Sequence, residues 1–134
     1  MPTNTRGSTA RDDSKQLIHY LRKGLAYNSG AGPHLVGTIP AGALILKPSS
    51  GVHVVTAANA GTNKQADVGT LATADLFGTD LSLAATNFVP LDEAVGGYRV
   101  AADTEIYVTL DITGSGSTAG DFEFVIAFIP DNDR

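Results

Sequence analysis

Three histidines, His19, His34 and His53, are the side chains of this 134-residue chain best suited to proton transfer or metal ligation. They stand in three separate segments, and none has a carboxylate or a second histidine at a spacing such as H-E-x-x-H. Asp92 and Glu93, with Asp103, Glu105 and Asp111, supply enough carboxylates for a glycosidase pair or a calcium site. Paired acids work only at a defined separation in space, however, and loop acids at this density are ordinarily solvated. Residues 114–120, Gly-Ser-Gly-Ser-Thr-Ala-Gly, look superficially like a phosphate loop. No lysine follows, and the stretch joins two strands instead of opening a helix. The chain has no cysteine, hence no thiol nucleophile, no disulfide framework and no cysteine-ligated metal. No serine sits in G-x-S-x-G. The expectation is a protein with no catalytic, cofactor-binding or metal site.

The elements around these residues are strands. Over 104–113 the apolar Ile106, Val108, Leu110 and Ile112 alternate with Glu105, Tyr107, Thr109 and Asp111, the period-2 mark of a strand with one buried face. Phe122, Phe124, Ile126 and Phe128 repeat the pattern after the glycine-rich connection, so residues 104–130 read as one long β-hairpin whose apolar face is the densest part of the core. The last strand is apolar on its second face too, at Val125, Ala127 and Ile129. Either another element of the chain covers that row or a partner does.

Upstream, residues 1–13 are expected to be a flexible polar arm without a large apolar anchor, and 14–134 a single β-sandwich (jelly-roll) domain. Arg6 and Arg11 give the arm positive charge, which suits an acidic contact. Residues 12–28 read two ways. Asp13 and Gln16 resemble a capping box ahead of Leu17, Ile18 and Leu21, whereas with period 2 Leu17, His19, Leu21, Lys23, Leu25 and Tyr27 line one strand face with Gly24 as a bulge or bend. The strand is preferred because nothing else in the chain is helical. Strands follow at 34–39, 43–47 and 52–57, separated by tight turns at 39–42 and 48–51. Residues 66–71 are weakly β, 76–83 irregular or an edge strand, 88–91 lie along the core, and 95–98 turn into the last two strands. Seven to nine short strands at this spacing predict an all-β antiparallel sandwich or jelly roll.

Composition narrows the partners. The net charge of −5 opposes binding to a phosphate backbone, so no nucleic acid is expected. No apolar run approaches the length of a membrane span, and no apolar core marks the N-terminus for secretion, so no membrane is expected and the chain should be soluble and unprocessed. Charged residues are only 17% of the chain, a composition suited to flat faces that pack against other proteins.

Residues 36–46, Val-Gly-Thr-Ile-Pro-Ala-Gly-Ala-Leu-Ile-Leu, are similar to a turn-strand pattern of small β-rich virion proteins. Together with residues 21–27, Leu-Arg-Lys-Gly-Leu-Ala-Tyr, and the phenylalanine-rich strands at the end, the stretch from Leu17 to Ile129 resembles the jelly-roll cement, or head decoration, proteins of podovirus-like tailed phages. The resemblance implies a structural virion protein that catalyses nothing. It would be made in the host cytoplasm, bind the outer surface of the capsid as a dimer or trimer, and bridge neighbouring major capsid protein subunits. In that setting Arg6, Arg11, Val125, Ala127 and Ile129 are the candidate contacts to the capsid or to another copy. Two other readings stay open: a phage tail or receptor-binding accessory protein, and a carbohydrate-binding β-sandwich module. The lack of tryptophan counts against the second, because such modules present planar aromatic side chains.

Overall fold

The alternation over residues 104–129 turns its apolar side inward. The computed structural model describes residues 18–93 and 98–131, and in it Ile106, Val108, Leu110, Phe122, Phe124, Ile126 and Phe128 all lie in the core, none more than 7% exposed. The strands are β1 (His19–Ala26), β2 (His34–Ile39), β3 (Leu44–Ile45), β4 (Gly51–Thr56) and β5 (Asn63–Gly69), then β6 (Gly78–Ser82), β7 (Phe88–Pro90), β8 (Tyr98–Arg99), β9 (Thr104–Thr113) and β10 (Asp121–Ile129). Every pairing between them is antiparallel.

β10 is the centre of the larger sheet. β1 runs along one side of it, and the other side is shared by β4 and β3, which carry β7 and β8 beyond them. The smaller sheet has the order β2-β9-β5-β6. With the two-residue β3 and β8 set aside, the remaining eight strands run first-eighth-third-sixth in one sheet and second-seventh-fourth-fifth in the other. That is the strand order of a jelly roll, and the expected all-β sandwich is what the chain forms.

The expected hairpin is not. β9 pairs with β2 and β5, β10 with β1, β3 and β4, and the two never pair with each other. Each carries a fully apolar inner face, and side by side those faces would lie on one side of one sheet with nothing equally apolar to cover them. Placed in different sheets, they cover one another across the core. Residues 114–120 are therefore a crossover between sheets. Asn59 ties it down: its side-chain oxygen accepts the Thr118 and Ala119 N–H at 2.9 and 3.0 Å. Gly114, at φ +104, passes so near Thr62 that a Cβ would sit 2.5 Å from the Thr62 nitrogen.

β1 settles the ambiguity over residues 12–28 in favour of the strand for the part that is described. Its register with β10 is unbroken from His19 opposite Phe128 to Ala26 opposite Asp121, so Gly24 is no bulge and sits in register opposite Glu123. The strand wins because this register sets Leu21 and Leu25 against the core, a gain that outweighs local helix signals. The strand expected over 43–47 stops at Ile45, where Lys47–Ser49 make one turn of 3-10 helix. Pro48 has no N–H for a ladder. The turn at 39–42 is as expected, with Gly42 at φ +84 and the Ala43 N–H bonded to the Pro40 carbonyl at 3.2 Å. β6 is the edge of the smaller sheet, distorted at Asp80 with φ +51. The arm at 1–13 and most of the expected turn at 95–98 lie outside the described residues.

Candidate functional site

Because β10 is central and alternates strictly, its even-numbered residues fill the core and its odd-numbered residues form the middle of an outward face. The register extends that face across the sheet. Tyr20 lies opposite Ala127, Arg22 opposite Val125, and Gly51 and His53 of β4 opposite Val125 and Glu123. Phe88 and Pro90 of β7 continue it beside His53 and Gly51, and Leu44 lies opposite Ile129 at the other end. Ile18, one residue before β1, follows the same alternation as Tyr20.

This face is apolar and open. Of the seven large apolar side chains that stand exposed among the described residues, Ile18, Tyr20, Val55, Phe88 and Ile129 belong to it, at 43–59% exposure. Monomers rarely leave so many grouped on one side. The expected contact row is placed here and proves to be graded. Ile129 is open, Val125 is half-buried, and Ala127 is only 6% exposed. Ala127 is held low by Ser50, whose Oγ accepts the Ala127 N–H at 2.9 Å and donates to the Leu46 carbonyl at 2.7 Å. Ser50 is fully buried, so its hydroxyl replaces the ladder hydrogen bonds lost where β4 gives way to β3. Arg6 and Arg11 lie outside the described residues.

Charge on the face is sparse and balanced. Arg22 forms an ion pair with Glu123 across β1 and β10. The hydrogen bond and charge of Glu123 push the Arg22 guanidinium above its ordinary range. At this exposure such a pair contributes little stability; its effect is to neutralise the middle of the face. Arg99 donates to the Gly42 carbonyl at the far end.

The outward face of the smaller sheet is the opposite in kind. Asn63, Gln65 and Asp67 of β5 align with Asp111 and Thr109 of β9, with Tyr107 and Glu105 further along and Asp80 on the edge. Its polar groups bond one another: Asn63 to Asp111 at 3.0 Å, Gln65 to Asp80 at 2.6 Å, and the Asp80 N–H to Asp67 at 2.7 Å. No lysine or arginine stands at an outward strand position of this sheet among the described residues; Lys64 faces inward and donates to the Ala60 carbonyl. Of the large apolar side chains only Leu35 stands out from these strands.

The groups that could do chemistry are not brought together. His19 stacks on Phe128 at 5.9 Å, His34 bonds the Gly30 carbonyl at 2.9 Å, and His53 lies on the apolar face. Asp92 accepts the Thr79 N–H at 2.8 Å and Asp103 the Ala41 N–H at 2.9 Å, so these acids close loops. Among the described residues no three His, Asp or Glu side chains are grouped to hold a metal ion. Also among them, no helix is long and apolar enough to cross a membrane. A depression of about 260 Å³ near Asp103 and Glu105 is an open groove between Leu71 and Tyr107 at one end of the smaller sheet. Desolvation, followed by the charge of Glu105, raises the Tyr107 phenol above its ordinary value. Tyr20, Val55, Phe88 and Ile18 were missing from the expected contacts. Tyr20 had a signal, since a strand that turns His19 and Leu21 inward turns Tyr20 outward.

No family model matches the chain, and no curated protein matches it. Among solved structures, a chain of the one described as "Cyanophage Pam1 capsid asymmetric unit" has the same fold, with a TM-score of 0.67 over 96% of this chain and 95% of that chain at 14% identity.

Proposed function

We propose that this chain is a structural protein of a phage virion. It acts as a cement protein that binds the outside of the head, bridges neighbouring major capsid protein subunits, associates with further copies of itself, and catalyses nothing. The observation that carries the reading is the end-to-end likeness of fold, 96% of one chain against 95% of the other, to a chain from a phage capsid asymmetric unit. With nearly all of both chains inside the shared fold, the likeness extends well beyond a common sandwich core.

The two unlike faces support the same reading. A cement protein must bury one surface against neighbours and leave another in water, and the sandwich has one apolar outward face and one acidic, internally hydrogen-bonded one. Attachment at many lattice sites raises effective concentration, so individually weak contacts suffice.

The test is thermal. Heads assembled without this protein should rupture at lower temperature than complete heads, and adding the purified chain should restore them. A chain that purified with tail fractions, or decorated no head at saturating concentration, would overturn the cement reading in favour of a tail accessory.

A further inference from the structure

We infer that the apolar outward face of the larger sheet is the contact between two copies of this chain, packed face to face about a two-fold axis. This specifies the self-association within the proposed function, and it is tested without heads so that the two can fail separately.

Charge selects the partner. The chain carries a net −5, and the carboxylates Asp67, Asp80, Glu105 and Asp111 lie on the outward face of the smaller sheet, where no Lys or Arg stands at an outward strand position among the described residues. Two copies meeting through that face would oppose like charges. On the larger sheet Arg22 offsets Glu123, so this is the face on which two acidic chains approach at least electrostatic cost. Across a two-fold axis the pair is self-complementary, because each Arg22 can reach the Glu123 of the other copy as well as its own.

Area is sufficient for a weak specific contact. The 30 residues of the sheet's strands, at about 3.3 Å along and about 4.8 Å across each, outline roughly 475 Å² per copy. A pair then buries on the order of 1,000 Å², at the lower limit of a specific interface, which suits a weak and reversible contact. Shape agrees. Ile18 and Tyr20 stand proud at one edge, while Gly51 and the sunken Ala127 leave a shallow floor beside them. A flat face can be fully covered by its own copy only through a two-fold arrangement, since a three-fold ring would leave each face partly open.

The experiment is sedimentation velocity on the full chain across low to high micromolar concentration, with circular dichroism to confirm folding. The wild type should shift from 13.8 kDa to twice that mass. Tyr20→Glu and Phe88→Glu each place a carboxylate in the contact twice by symmetry and should weaken dimerisation by about 100-fold while keeping the fold. Leu35→Glu, equally exposed but on the smaller sheet, should leave it unchanged. A chain that stays monomeric throughout, a trimer, or a dimer sensitive to Leu35→Glu and indifferent to the other two would each overturn the inference.

Discussion

Replacing Phe124 with alanine tests the inward register of the central strand. Phe124 is fully buried, and it stands between Lys23 of β1 and Val52 of β4 in the middle of the larger sheet. Phe122 and Phe128 occupy the same inner face, and strands on both sides fix the backbone, so the site cannot collapse to fill the space. Removing the ring therefore loses its transfer free energy and leaves most of a cavity, a combined cost of about 3–5 kcal/mol. Domains of this size have roughly 5–15 kcal/mol in total, so the variant should remain folded at room temperature with a Tm lower by roughly 10–20 °C. The assay is urea unfolding followed by far-ultraviolet circular dichroism, since the chain has no tryptophan to report. Ile129→Ala is the internal control: the same strand, the opposite face, 43% exposed, and an expected loss under about 1 kcal/mol. A Phe124→Ala loss below about 1 kcal/mol, or equal losses at the two positions, would refute the register.

Three further outcomes are expected. Ser50→Ala removes the hydroxyl that bonds the Ala127 N–H and the Leu46 carbonyl inside the core, and should cost about 1–3 kcal/mol in the same titration; an unchanged midpoint would mean the clamp contributes nothing. Gly51→Ala would put a Cβ 2.1 Å from the Val89 carbonyl oxygen, so β7 must detach and stability should fall by at least about 2 kcal/mol. Gly24→Ala, with no atom within 4 Å, should be neutral, and equal effects at both glycines would count against the pairing of β4 with β7. Because native cysteines are absent, pairs of new ones report topology directly. Arg22→Cys with Val125→Cys should oxidise to a disulfide, while Asp111→Cys with Glu123→Cys should stay reduced because their sheets are about 10 Å apart. The reverse result would restore the hairpin.

The inner faces of β9 and β10 were legible because period-2 alternation is a local property, and every apolar residue it assigned inward from Ile106 to Leu110 and from Phe122 to Phe128 is buried. Which strands pair was not legible. The connection at 114–120 is long enough either to close a hairpin or to cross between sheets, and the choice depends on two apolar faces needing each other across the core. The apolar row at Val125, Ala127 and Ile129 was visible for the same local reason. The rest of its face was not, because Tyr20, Phe88 and Val55 join it only once β1, β4 and β7 are known to flank β10. Ser50 gave no signal, since a buried hydroxyl in a Ser-Ser-Gly turn looks like any other loop serine.

The most direct test of capsid attachment is a cryo-electron microscopy difference map between heads assembled without this protein and the same heads after the purified chain is added. The cement reading predicts a jelly-roll density at repeated positions on the outer surface, each contacting more than one major capsid protein subunit. Density confined to the tail or its attachment site, or no added density at saturating concentration, would contradict it.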